Sequence, residues 1–398
     1  MIPYGRQSIT EEDIAAVVAC LRSDFLTQGP CVQAFEEAFA REVGARHAVA
    51  VCNATAALHL AMLVGGIGPG HRVVTSPITF LASANAAAYV GATPDFADVD
   101  PVTLNLCPHS LSHHWQPDTR AVVAVAYAGQ AAEMPAIAGV ARRHGALVIE
   151  DACHGVGGGF HHQGENYLLG GHPWADMTTF SFHPVKTMTT GEGGMLVTNN
   201  DQYAAKARLL RSHGVARSQF VSLGSQEPAF AEQGSWYYEM QALGYNYRLT
   251  DIQAALGLSQ LQRLTDMIAR RRQIVASYNQ AFTHLDFLQI PTVKNLSDAA
   301  LISWHLYTVR IDFKKLSKTR TEVMKELRSH GVGSQVLYIP VHLQPWYRQT
   351  YDYAAGKCPV AEAAYPGLLS LPLFSTMDEK DIQTVIVAVS GLAELKTA

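Results

Sequence analysis

The sequence predicts an α/β protein: a mostly parallel central sheet in a large domain, residues 1–250, then a smaller C-terminal α+β domain, residues 251–398, that includes a long linking helix. Three observations carry this expectation. Up to Thr198, short apolar runs alternate with amphipathic stretches, the pattern of strands covered by helices on both faces. Two of those runs, Thr178 to Phe182 and Met195 to Thr198, bracket a loop of small and polar residues, as buried strands would. Beyond Asp251 the alternation gives way to a long helical pattern followed by mixed strands and helices.

Taken in order, Ile2 to Ser8 reads as an extended arm. Thr10 can cap a helix whose first turn holds Glu11, Glu12 and Asp13, with Ile14, Val17, Val18 and Leu21 as its expected buried face. A second helix places Val32, Phe35, Phe39 and Val43 on one side. Ala48 to Val51 is a strand, and Asn53-Ala-Thr-Ala-Ala57 opens a helix to about Val64. Strands are expected at Arg72 to Thr75, Thr93 to Phe96, Ala121 to Ala126 and Ala146 to Glu150, with helices at Leu81 to Val90 and Met134 to His144. The glycine run from Gly155 to Gly159 is not a strand–GxGxxG–helix unit and suits a bend. A helix follows from Asp201 to about Ser212, then a polar loop to Met240. One helix from Asp251 to Phe282 carries the basic cluster Arg270-Arg-Arg272 on a solvated face. Strands at Tyr307 to Ile311 and Val336 to Ile339, and helices at Arg320 to His330 and Asp378 to Ser390, complete the chain. There is no internal repeat and no low-complexity segment.

Composition excludes several classes. The chain has 398 residues, 48% hydrophobic and 16% charged, and a net charge of −4, which gives no basic surface for nucleic acid or an anionic membrane. The most apolar stretch, Ala48 to Gly70, is broken by Asn53, His59 and glycines, so no membrane span is expected. The six cysteines form no C-x-x-C pair. No basic segment followed by an apolar block marks a signal peptide, so a reduced, cytoplasmic protein is expected. His113-His114 and His161-His162 are adjacent pairs without metal-ligand spacing, and no metal is expected.

The chemistry is concentrated between the strands at Thr178 and Met195. There Lys186 is the one basic residue of a loop ending in Gly191, Gly193 and Gly194, with Glu192 its one acid. A lysine delivered by a strand end, beside backbone that can approach a ligand closely, can lose its proton and attack a carbonyl. Upstream, Ala146 to Glu150 runs into Asp151, an acid at the C-terminal end of an interior strand, where open α/β sheets place ligands. A pyridine-containing cofactor held by a lysine needs such an acid to keep its ring nitrogen protonated. The helix start at Asn53 to Ala57 leaves backbone N–H groups for an anion, or is an ordinary capped helix. Phe80 suits either a core position or the face of an aromatic ring.

Together these stretches resemble the DegT/DnrJ/StrS family of sugar-nucleotide aminotransferases, pyridoxal phosphate (PLP) enzymes of fold type I. The resemblance runs from Ile2-Pro-Tyr-Gly5 to Leu371-Pro-Leu-Phe374. It rests on Asn53-Ala-Thr-Ala-Ala57, Thr79-Phe80, Glu150-Asp151, Phe180-Ser-Phe-His183 with Lys186, Gly191-Glu-Gly-Gly194 and Gly244-Tyr-Asn-Tyr-Arg-Leu249. It implies that Lys186 bonds PLP covalently, Asp151 pairs with the pyridine nitrogen, Phe80 stacks on the ring and His154 lies near its hydroxyl or face. It further implies that Ala54, Thr55 and Ser181 hold the phosphate in one subunit while Asn246 reaches it from the other, in a homodimer with shared sites.

Within the family, Leu26-Thr-Gln-Gly29, Thr75-Ser-Pro-Ile-Thr-Phe80, Tyr127-Ala-Gly129 and Thr187-Met-Thr-Thr190 are similar to the type that acts in pseudaminic acid biosynthesis. That likeness implies a UDP-linked 2-acetamido-2,6-dideoxy-4-keto-hexose as acceptor, and L-glutamate, leaving as 2-oxoglutarate, as donor. Gln28, His183 and His342 are the candidate substrate contacts. The sugar dehydratases of the family carry histidine in place of lysine, and Lys186 argues against that activity. Cys153 stands where alanine is commoner, and the loop 219–233 has no counterpart in the pattern.

Overall fold

The computed structural model describes residues 1–221 and 234–393. Most of the loop 219–233, from residue 222 on, lies outside the described residues. Five strands come first: β1 (His47–Val51), β2 (Arg72–Thr75), β3 (Thr93–Phe96), β4 (Thr119–Val125) and β5 (Leu147–Asp151). A hairpin of β6 (Gly159–His162) and β7 (Glu165–Leu168) separates these from β8 (Met177–Ser181) and β9 (Gly194–Thr198). Seven of the nine form one sheet in the order β1-β9-β8-β5-β4-β2-β3. The run from β8 to β3 is parallel, and β9 alone reverses, antiparallel to both β8 and β1.

Burial on both faces explains why these strands read as continuous apolar runs rather than alternating ones. Val49, Val73, Val123 and Ile149 pack under the helices Ala54–Val64 and Ala82–Tyr89. Their neighbours Ala50, Val74, Val122 and Val148 face the opposite way, towards Phe35 and Phe39 of helix Pro30–Val43 and Ile137 of helix Met134–Arg143. After the short ribbon β10 (Val215–Ala216) and β11 (Glu239–Met240), a second core forms around an antiparallel sheet. Its strands are β12 (Leu288–Gln289), β13 (Tyr307–Ile311) and β14 (Leu368–Leu371).

The expected single helix over 251–282 is two, Asp251–Leu261 and Leu264–Phe282. The first packs into the large core through Ala254. The second passes from one core to the other, with Leu264 and Ile268 in the first and Ile274, Tyr278 and Phe282 in the second. Its basic cluster is not a solvated face. Arg271 is 1% exposed, and its guanidinium donates to the carbonyls of Trp304, His305 and Leu373. Arg270 reaches the Met377 carbonyl and Glu379, and Arg272 that of Ile302. Burial pulls the Arg271 pKa down to about 10, so it stays cationic at neutral pH.

Helix Glu11–Leu21 keeps only part of its expected face, with Val17 and Val18 half-buried. Ile14 and Leu21 are exposed, while Asp13 is buried and accepts from Ser259, Gln260 and Arg263. With the Thr10 amide, four donors converge on this one carboxylate and outweigh the apolar stripe. Val336 to Ile339 is irregular rather than a strand. Only Gln335, just before it, bridges to Ser370.

Candidate active site

The C-terminal ends of β5 and β8, the start of helix Ala54–Val64 and irregular segments from both ends of the chain enclose a cavity of about 470 Å³. Strand alternation sorts the two acids of β5. Glu150 points into the core, where it accepts from the Gly170 amide, Thr178 and His172. Asp151 faces the cavity, fixed by Ser83 Oγ at 2.7 Å and by the Cys153 amide at 3.1 Å. Ser83 is itself held by Thr79 at 2.8 Å.

Lys186 sits on the loop between β8 and β9. The small residues of that loop satisfy one another: Thr189 Oγ1 and the Thr190 amide donate to the Phe182 carbonyl, and the Lys186 amide donates to that of His183. The half-buried amine reaches within 3.5 Å of His305 Nε2. Burial pushes its pKa down, and the neighbouring Cys153 and Asp151 act against that shift.

His154 takes the Ala128 N–H on Nδ1, which leaves Nε2 to donate to the Tyr338 hydroxyl at 3.2 Å. Burial and the nearby lysine push its imidazole well below the usual histidine range. The Cys153 thiol, pushed well above its ordinary pKa by burial and Asp151, lines the same wall as a neutral group.

At the other end of the cavity, Asn53 caps its helix by accepting from the Ala56 amide. The Ala54 and Thr55 amides, also lining the cavity, have no carbonyl four residues back to bond within the helix. Gly194 of β9 packs directly on this turn, and a side chain there would collide with Asn53 and the Ala54 nitrogen. Ser181 and His183 complete this side. Phe80 is 56% exposed at the rim, its ring 6.1 Å from that of Tyr338, so it is not a core residue.

The structure therefore brings together Lys186, Asp151, His154, Ala54, Thr55, Phe80, Ser181 and His183. It does not bring in three others. Asn246 is exposed and outside this chain's cavity, bridged to Ser212. Gln28 is exposed in a separate groove with Glu36, Arg211 and Arg248. A sugar contact at His342 is not met: the side chain is fully buried against Phe96, with Nε2 2.8 Å from Glu362. Conversely, Ser83, Tyr4, Tyr338 and His305 belong to the site without having stood out in the sequence. Among the described residues no cluster of histidine, cysteine, aspartate or glutamate could hold a metal ion, and no helix is long and apolar enough to cross a membrane.

These residues fit a phosphorylated pyridine aldehyde. A half-buried amine, a fixed carboxylate and a helix N-terminus with free amides surround one space, each matched to a different part of that molecule. The profile of the DegT/DnrJ/EryC1/StrS aminotransferase family matches residues 7–390. The chain is 42% identical over 394 residues to the spore coat polysaccharide biosynthesis protein SpsC of Bacillus subtilis, covering 99% of this chain and 97% of that one. Among solved structures, Helicobacter pylori PseC, an aminotransferase of pseudaminic acid biosynthesis, superposes with a TM-score of 0.86 at 28% identity, covering 98% of both chains. The PLP form of Spr1654 of Streptococcus pneumoniae gives 0.87 at 26% identity, again over 98% of both.

Proposed function

The chain belongs to the DegT/DnrJ/EryC1/StrS aminotransferase family and is a PLP-dependent sugar transaminase; from that premise we propose its substrates and the roles of its residues. The acceptor is a UDP-linked 2-acetamido-2,6-dideoxy-4-keto-hexose, converted to its 4-amino sugar with L-glutamate as donor. Two things support this reading: the likeness to PseC over the full chain, and the local stretches Thr75 to Phe80 and Thr187 to Thr190. A relative named for polysaccharide biosynthesis is in keeping with an amino-sugar product.

The observation that carries the mechanism is the amine of Lys186 sharing one cavity with the Asp151 carboxylate. PLP, when bound, supplies a carbonyl to receive the amino group and a ring that draws in electrons. Asp151, held by Ser83, keeps a positive charge at the ring nitrogen. Lys186 Nζ, when free, would hold and move the proton at the substrate carbon. The amides of Ala54 and Thr55 with Ser181 Oγ would hold the phosphate and Phe80 would cover the ring, while His154 orients Tyr338. Release of 2-oxoglutarate precedes entry of the ketosugar, a ping-pong order. His183, exposed on the lysine loop, contacts the sugar.

The working unit is a homodimer. Asn246 and Gln28, exposed and away from their own cavity, serve the partner's site. The exposed Ile14, Leu21, Phe25 and Leu26 would be covered in such an assembly. All six cysteines are free, in keeping with the cytoplasm.

The test presents UDP-, dTDP- and GDP-linked ketosugars with glutamate to the reconstituted enzyme and identifies products by NMR. Turnover of the UDP-N-acetyl-4-keto sugar alone is expected. A strong preference for a dTDP or GDP sugar would reassign the substrate within the family and leave transamination standing.

A further inference from the structure

Against Lys186, behind the residues that line the cavity, lies a histidine that the mechanism above leaves without a task. His305 lies on the segment leading into β13 and is 4% exposed. That segment is held with unusual care. The His305 amide donates to the Ala128 carbonyl at 2.9 Å, and the Arg271 guanidinium takes the His305 carbonyl from behind. Gly129, at φ +98°, leaves room for it, because a side chain there would collide with the Ser303 carbonyl. Burying a guanidinium for backbone carbonyls alone is costly, so the position it fixes has to matter.

The ring so placed has its Nε2 3.5 Å from Lys186 Nζ, while Nδ1 is buried with no partner among the described residues. A neutral imidazole has one N–H. On Nδ1 it would be a buried donor with nothing to receive it, which is the rarer and costlier kind of orphan. On Nε2 it faces the lysine, whose nitrogen can accept a hydrogen bond only as the uncharged amine. We propose that His305 donates its Nε2–H to the Lys186 nitrogen and so selects the neutral, nucleophilic form of that amine whenever it is free. This rests on the reading of Lys186 as the reacting lysine.

The surroundings agree. Burial and the charge of Lys186 push the His305 imidazole well below the usual range, so it stays neutral. Asp151 and Cys153, at the end of β5, pull the lysine towards its charged form, and a donor on the opposite side counters them. His154 beside them is committed to Ala128 and Tyr338. Tyr4, His183 and Glu192 line the same cavity, but among the described residues His305 is the amine's one hydrogen-bond partner.

The test uses the full chain freed of cofactor. The rate at which acetic anhydride modifies Lys186 is followed against pH by mass spectrometry, which gives the midpoint of the amine's titration. His305→Leu removes the donor and is expected to raise that midpoint by about one pH unit, whereas His305→Gln, which keeps an N–H, stays near the parent value. Nitrogen-15 NMR of labelled histidines, assigned with His305→Gln, should show the Nε2–H tautomer in the unaltered protein, a reading that needs no folded leucine variant. An unmoved midpoint in folded His305→Leu, or an Nδ1–H tautomer, overturns the proposal. A wild-type protein that neither binds PLP nor reacts with glutamate overturns the assignment of Lys186 itself, and the proposal falls with it.

Discussion

The two walls of the cavity are built on different physical terms. The sheet wall takes Asp151 and Lys186 from the ends of β5 and the loop after β8, where fixed strand register sets their positions. The facing wall takes Tyr338, with His305 behind it against Lys186, from irregular chain, placed by Tyr127 reaching the Leu337 carbonyl and by Arg271 reaching that of His305. The first wall inherits its precision from a large core. The second borrows it from a few hydrogen bonds that span more than thirty residues of sequence. Chemistry is therefore expected to fail most sharply at the sheet wall, and order to fail first at the other.

Lys186→Ala should show the largest effect, a loss of turnover of at least about 1,000-fold. Steady-state assay with glutamate measures it, and near-normal activity would break the proposed proton transfer. Asp151→Asn keeps an acceptor for Ser83 but removes the charge, so kcat should fall about 100-fold with the fold intact. An undiminished kcat would mean that the ring nitrogen needs no acid here. On the facing wall, Arg271→Met leaves three buried carbonyls unpaired and should cost about 3 kcal/mol in denaturant unfolding. A cost within error would show that the second wall is held by packing alone.

Acid tests both walls. His154 and His305 have folded pKa values below their unfolded ones. As pH falls through about 6.5, the unfolded chain binds protons that the native state refuses, so stability declines with falling pH. A melting temperature flat from pH 7 to below that range would contradict their burial as neutral rings. The smallest effect is expected at His342→Gln, which should cost about 1 kcal/mol of stability and leave the KM for the sugar unchanged. A raised KM would return that residue to the binding site.

The same contrast explains what could be seen in the sequence. Asp151 ends a strand whose period fixes which way its side chain faces, and Lys186 and Ala54 lie within a few residues of a strand or helix end, so the sheet and these candidates could be read from short local patterns. His305 and Tyr338 could not, because no period governs an irregular segment. Nothing near Val336 to Ile339 separates a strand from extended chain pinned at one carbonyl. Arg271 was misjudged for a related reason: three adjacent arginines suggest a wet surface, and only the returning segments at Trp304 and Leu373 make the middle one a buried peg. Asp13 deceived in the same manner, as its partners Ser259 and Arg263 lie far along the chain.

The arm at Ile2 to Tyr4 has a consequence for how the enzyme comes into being. Ile2 exchanges backbone hydrogen bonds with Gly331 and Gly333, the Tyr4 carbonyl receives the Leu373 amide, and the Tyr4 ring lines the cavity. The ribosome delivers the arm long before any of those partners exist. The sheet with its lysine can consolidate during synthesis, but the pocket closes only after translation has passed Leu373. A nascent or prematurely terminated chain would thus carry Lys186 in an open, unfinished cleft.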